Sequence, residues 1–282
     1  TPLSSSAASD VYKRQAVPYK APVKDIVFGY EVIDSYNVLN KISAFSDFSE
    51  DIVIPTMEEC AKFSEEVLAP INAIGDQQGA TIKDGVVTMP EEFVDAYKKF
   101  AEAGWASISL PSDIGGGGMP ITLSGGTLEI LSTANLAFGL APGLSAGAIS
   151  AINFHGSQEQ KDKFLPKLVS GEWTGTMNLS EPQSGSDLGT ITTKAEPQED
   201  GSYKITGTKV WITFGEHNMT ENIIHLVLAK VPGSPEGTKG ISMFIVPKYT
   251  VNDDGSVGDS NNVSCISTVS YTHLRAHETL LD

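Results

Sequence analysis

The stretch from Met177 to Thr213, MNLSEPQSGSDLGTITTKAEPQEDGSYKITGTKVWIT, constrains this chain more than any other. It opens with a polar turn, Ser180-Glu181-Pro182, then Ser184-Gly185-Ser186-Asp187. Alternating segments follow around Thr190–Ala195 and Tyr203–Thr206. Pro197, Asp200 and Gly201 separate them, so the pair reads as a hairpin. Lys209–Thr213 closes the stretch as a short β segment.

Two chemistries are available here. Pro182 removes a backbone donor and Gly185 permits positive φ, so the turn can aim consecutive N–H groups at one anion. Ser180, Ser184 and Ser186 add hydroxyls. Trp211 offers a flat ring, and Thr213 a hydroxyl two residues on, on the same strand face. A flat, polar-edged, phosphate-bearing cofactor needs those parts, and flavin adenine dinucleotide (FAD) fits. On residue chemistry alone, a Ser/Gly-rich loop between ordinary strands, with Trp211 in the core, is the readier explanation.

The stretch resembles the flavin-binding middle domain of the acyl-CoA dehydrogenases. That family's pattern is T/S-E-P-x-x-G-S-D, a hairpin, then G-x-K-x-W/F-I-T. This chain supplies Ser180-Glu181-Pro182, Gly185-Ser186-Asp187, Gly207, Lys209 and Trp211-Ile212-Thr213. The resemblance implies that Thr213 bonds flavin N5 and Ser180 lies at the pyrimidine edge. Trp211 and Ile212 run along the ring system. Gly185 and Ser186 approach the flavin chain and phosphates, and Ser186 also borders the acyl-CoA tail. Met177, where relatives frequently carry Tyr or Phe, and Leu179 complete the expected cofactor set.

In the implied reaction a carboxylate takes the α-proton of an acyl-CoA while the β-hydride moves to flavin, with an electron-transfer flavoprotein as acceptor. The family's base is a Glu in a C-terminal helical domain, which also supplies homo-oligomer contacts. This sequence is expected to lack that domain. No catalytic residue is therefore assigned, Glu181 is read as structural, and the chain alone is expected not to turn over. The rival readings are an acyl-CoA oxidase or nitroalkane oxidase-like flavoprotein on the same fold, and a non-catalytic binding module.

The 282 residues suit one or two domains. With 19 Lys+Arg against 35 Asp+Glu, the net charge of −16 argues against nucleic acid. The two cysteines form no CxxC pair, which suits a reducing compartment. No apolar run reads as long enough to span a bilayer and no secretory core is seen, so a cytoplasmic protein without a membrane partner is expected.

The expected fold is α+β. An N-terminal extension and all-α helical domain (16–173) precedes a flavin-binding β-barrel or sandwich (174–268), with the family's C-terminal bundle missing. Thr1–Gln15 and residues 269–282 resemble translated adapter sequence and are read as flanks. Ala16–Tyr36 reads as an extended arm and resembles the extension of the longer acyl-CoA dehydrogenases, the branch containing the 3-methylmercaptopropionyl-CoA enzymes.

Helical periodicity runs over Asp51–Asn72 until Pro70 breaks or bends it, and Gly75–Gly79 reads as a loop. A helix from Pro90 to about Ala103 is ended by Gly104. The four glycines in Leu110–Pro120 read as a flexible turn rather than a phosphate loop. Ile121–Phe154 suggests two helices split near Pro142-Gly143, and Ser157 caps the next. Ile223–Ala229 reads as a buried strand broken by His225, and Ile241–Val246 as another. His217 and His225 are read as polar contacts in the fold, and no metal site is assigned to them or to His273 and His277.

Overall fold

The computed structural model describes residues 18–268. The expectations for Thr1–Gln15, for 269–282 and for His273 and His277 lie outside them.

The helical half begins with α1 (Val23–Val32) and α2 (Ser35–Leu39). The arm expected to be extended is thus helical. Tyr30 explains why: it is buried, and its hydroxyl donates to the Thr122 carbonyl at 2.5 Å. A helix is the conformation that brings that ring onto the core while satisfying its own backbone.

Helix α3 (Glu50–Phe63) passes through a π turn (Ser64–Leu68) into α4 (Ala69–Gln78). Pro70 does not end the run; it sits in the first turn of α4, where its missing N–H is not needed. Gly75, expected in a loop, is helical. A Cβ there would meet the Phe93 ring at 2.6 Å, so the glycine admits an aromatic side chain rather than a turn. The small hairpin β1 (Thr81–Lys83) and β2 (Val86–Thr88) precedes α5 (Glu91–Glu102). Helix α5 buries Phe93, Tyr97 and Phe100, each worth roughly 1.5–3 kcal/mol. Gly104 ends it at φ +76, as expected.

The four-glycine segment is a fastened turn. The N–H groups of Gly117, Gly118 and Met119 donate to the carbonyls of Ser107, Leu110 and Ile108. A Cβ on Gly117 would stand 2.6 Å from the Ile108 oxygen, so the glycine serves backbone approach.

The next two helices, α6 (Ile121–Ala134) and α7 (Leu136–His155), split at Asn135 and not at Pro142. Asn135 adopts extended backbone, accepts from the Phe138 N–H at 3.0 Å and donates to the Leu68 carbonyl at 3.2 Å. A side chain that caps one helix and bonds another outweighs the one donor lost at Pro142. Uninterrupted, α7 has 20 residues and is long and apolar enough to cross a membrane by length and composition, contrary to the expectation of two short pieces. Here Ala148, Ile149 and Ile152 of α7 join a core with α8 (Gln158–Val169) and the sheet. Helix α8 starts with the expected cap at Ser157, reciprocated by Gln160.

The β half contains β3 (Trp173–Asn178), β4 (Lys194–Pro197), β5 (Tyr203–Thr206), β6 (Asn222–Lys230) and β7 (Ile241–Pro247), with the pair β8 (Tyr249–Val251) and β9 (Val257–Ser260) beyond. The five-stranded sheet is mixed. β6 lies between parallel β3 and antiparallel β7, and touches β4, which carries β5. The expected hairpin is β4–β5, starting at Lys194 rather than Thr190 because Leu188–Thr190 is a 3-10 turn. Tyr203 of the hairpin meets Phe244 of β7 with ring centroids 5.0 Å apart.

Alternation gives β6 two faces. Ile224 and Leu226 enter the core beneath α7 and α8. On the other face the register aligns Thr176 with His225 and Val246, and Asn178 with Val227 and Phe244.

Candidate functional site

The Ser-Glu-Pro bend and the later Gly-x-Lys segment meet at one carboxylate. Glu181 is only 4% exposed. Its oxygens accept from Thr192 N–H (2.7 Å) and Oγ1 (2.8 Å), and from Thr193 N–H (3.1 Å) and Oγ1 (2.5 Å). Gln183 Nε2 at 2.7 Å and Lys209 Nζ at 2.9 Å complete the set. Burial raises its pKa, but the bonds from Thr193, Thr192 and Lys209 outweigh burial and hold it well below the usual carboxylate range. Lys209 also donates to the Leu179 carbonyl at 3.0 Å, and the Val210 N–H to the Ser180 carbonyl at 2.9 Å. Gly207 fits here because a Cβ would collide with Thr193.

Glu181 is therefore structural, as expected. It ties Thr192–Thr193, Lys209 and the bend into one knot.

The bend itself differs from the anion cradle expected of it. The N–H groups of Glu181 and Ser184 donate to each other's carbonyls. Gly185 does not use positive φ, and a Cβ there would meet nothing. Ser184 is turned inward to the Asp187 carbonyl at 2.7 Å, whereas Gly185 and Ser186 are exposed.

Beyond the knot, Lys209–Thr213 is not a strand. Trp211 has φ +61 and Phe214 φ +51, and two left-handed residues cannot sit in a ladder. For a bulky side chain that conformation costs about 1–2 kcal/mol. The Trp211 ring is 55% exposed, so it is not the core residue that a plain hairpin reading requires. The far end is anchored. Glu216 Oε1 pairs with Lys248 Nζ at 2.5 Å, and His217 is buried against Thr174. The Met219 N–H donates to His217 Nδ1 at 3.1 Å, so Nε2 carries the hydrogen given to Thr174 Oγ1 at 3.0 Å.

This strained segment borders a broad groove of about 2060 Å³ that also takes in residues of β6, β7, α7 and α8. Trp211, Ile212 and Thr213 line it, as do Asn178, His225 and Phe244. Met177, Leu179, Ser180, Gly185 and Ser186 do not line it. Met177, Leu179 and Ser180 are half-buried beside the knot, and Gly185 and Ser186 lie on the open bend. The structure thus joins the two motifs through backbone and carboxylate while putting only the second in the groove.

The sequence reading does not single out Asn178, whereas His225 makes the polar contact expected of it. His225 is 1% exposed, and its Nδ1 lies 2.7 Å from Thr176 Oγ1, which donates to Asn178 Oδ1 at 2.6 Å. Burial, then the charge of Lys248, pushes the His225 pKa down to about 4. Polar residues at every second position of β3, Thr174, Thr176 and Asn178, were the available signal. Among the described residues no group of three or more His, Cys, Asp or Glu could hold a metal ion.

Known proteins match this chain in sequence and in fold. The acyl-CoA dehydrogenase N-terminal domain model matches residues 55–172, and the family's middle-domain model matches 176–277. The 3-methylmercaptopropionyl-CoA dehydrogenase of Ruegeria pomeroyi is 42% identical over 261 residues, 93% of this chain and 44% of the relative. The chain thus spans less than half the length of that relative.

An acyl-CoA dehydrogenase from Bacillus anthracis, solved in complex with FAD, superposes with TM-score 0.58 at 27% identity, covering 73% of this chain and 32% of the other. The electron transferring flavoprotein of Acidaminococcus fermentans superposes at 0.57 and 27%, covering 71% and 48%. A helical half followed by a mixed sheet, with matching sequence through both halves, leaves one assignment: the chain belongs to the acyl-CoA dehydrogenase family.

Proposed function

We propose that this chain is the helical and flavin-binding part of an FAD-dependent enzyme that dehydrogenates an acyl-CoA thioester. The Glu181 knot carries the reading, because it ties the two flavin motifs together with the second of them on a groove. The residues there fit a flavin. Trp211 presents an exposed aromatic face, Thr213 a hydroxyl, and Asn178 an amide, all at one groove. Trp211, Ile212 and Thr213 would hold the ring system. Ser180 would lie at the pyrimidine edge, Met177 and Leu179 would complete the cofactor set, and Gly185 and Ser186 would approach the flavin chain and phosphates, with Ser186 also bordering the acyl-CoA tail. When bound, the flavin supplies the redox chemistry.

Among the described residues, no carboxylate at the groove suits the role of base. Glu181 is saturated by hydrogen bonds outside it, and Glu216, which lines it, is paired to Lys248. The family resemblance assigns the base and the homo-oligomer contact to a C-terminal helical domain, and an electron-transfer flavoprotein is the acceptor proposed. The family resemblance favours the two-part division near residue 173.

Titrating the chain with FAD while following flavin fluorescence tests this. Saturable quenching that Trp211→Ala weakens is the expected result, and a folded chain that leaves the fluorescence unchanged overturns the reading. Incubated with an acyl-CoA and an artificial electron acceptor, the chain should show no turnover; measurable turnover would overturn the base assignment.

A further inference from the structure

Asn178 is oriented more firmly than a groove residue needs to be. Thr176 has a single hydroxyl hydrogen and gives it to Asn178 Oδ1 at 2.6 Å. His225 Nδ1, 2.7 Å away on the other side, must then carry the hydrogen that Thr176 accepts. The chain His225–Thr176–Asn178 therefore points the Asn178 Nδ2 group away from Thr176. Among the described residues that amide donor has no partner, and Asn178 lines the groove.

The same proton arrangement leaves His225 Nε2 as a buried acceptor without a partner. Leaving such an atom unpaired is unfavourable, and unpaired buried polar atoms in native folds call for an explanation. Here the explanation is positional: the imidazole is where its other nitrogen can lock Thr176.

The row containing Asn178 continues through Val227 and Phe244, and the row beneath through His225 and Val246. The register neighbours of Asn178 are thus apolar, with a neutral imidazole in the row beneath. That wall suits a neutral carbonyl or ring-nitrogen acceptor on a flat heterocycle better than a phosphate. Trp211 and Thr213 border the same groove, and the Val210 N–H bonds the Ser180 carbonyl two residues beyond Asn178.

Resting on the flavin reading above, we propose that Asn178 is a binding residue of the site. Its Nδ2–H, aimed by Thr176 and His225, donates to an acceptor on the edge of the isoalloxazine ring.

The test titrates FAD into the wild-type chain and into Asn178→Asp, Asn178→Leu and Thr176→Val, reading both flavin fluorescence and the visible absorption band of the bound flavin. Asn178→Asp replaces the donor by an acceptor at constant shape. It should weaken FAD at least about tenfold and shift the band of the flavin still bound, and Thr176→Val, which frees the amide to turn, should weaken it about threefold. Should Asn178→Asp fail to fold, Asn178→Leu carries the same two readings. Wild-type affinity in the Asn178 variants overturns the proposal and leaves the flavin reading standing. Weakened binding with an unmoved band also overturns it, since Asn178 would then only support the strand. A folded wild-type chain that binds no FAD overturns both.

Discussion

Two buried polar clusters sit on one sheet and meet the cost of leaving water in opposite ways. Around Glu181 a full charge is buried, and six donors including Lys209 saturate it. Around His225 the hydrogen-bonded partners are neutral, and one ring nitrogen stays unpaired. The first cluster has no bonding capacity left and can only fasten: it holds the bend, Thr192–Thr193 and Lys209 together. The second keeps capacity in reserve, and it faces the groove. A saturated charge is a rivet, whereas the neutral cluster leaves the Asn178 amide donor, unpartnered among the described residues, at the groove.

The contrast can be broken most severely at the rivet. Lys209→Met removes the cation and strands a buried carboxylate, which should destabilise the chain by about 3–5 kcal/mol in urea unfolding. A loss below about 1 kcal/mol would mean that the hydroxyls and amides alone neutralise Glu181.

The pH dependence of stability separates the clusters next. Burial, then Lys248, holds the His217 pKa down to about 3 and that of His225 down to about 4. Unfolded histidines titrate near about 6.5, so between about pH 4 and 6.5 the unfolded chain binds more protons. Stability should therefore rise with pH across that window and level off above it. Glu181 acts at lower pH: its depressed value stabilises the fold above the ordinary carboxylate range, and that contribution fades as pH falls. His225→Phe should flatten the window above about pH 4 by roughly 2–3 kcal/mol in total and leave the acid limb alone. Unchanged slopes in urea midpoints against pH would contradict the neutral-histidine account.

A smaller effect apportions the knot itself. Thr193→Val deletes the 2.5 Å bond to Glu181 but keeps Lys209, and should cost about 2 kcal/mol, less than Lys209→Met. Equal losses would show that the hydroxyl matters as much as the cation. The smallest effect has the opposite sign. Trp211→Gly relieves φ +61 and should raise the stability of the chain by up to about 1 kcal/mol while weakening FAD. A melting temperature that falls would mean that the indole packs more than its 55% exposure suggests.

Local rules were legible where a residue acts on its own neighbours. The Ser157 cap, the Gly104 stop and the Gly201 turn of the β4–β5 hairpin all follow from short-range backbone chemistry. The errors arose where a distant partner decided. Gly75 looked like a loop until Phe93 needed its space, and Pro142 looked like a break until Asn135 found the Leu68 carbonyl. The Lys209–Thr213 segment looked like a strand because its composition is strand-like. Its ends are pinned by Glu181 and Lys248, and that pinning leaves Trp211 and Phe214 left-handed.

The order of residues alone established the motif pair, the hairpin between its halves and the succession of helices before strands, because each is written in spacing and turn chemistry along the chain. Only the folded molecule decided that Glu181 is the rivet, that Asn178 and Trp211 line one groove, and which nitrogen of His225 stays unpaired. Those outcomes depend on groups 28 to 49 residues apart meeting within hydrogen-bond distance, and no local pattern encodes such a meeting.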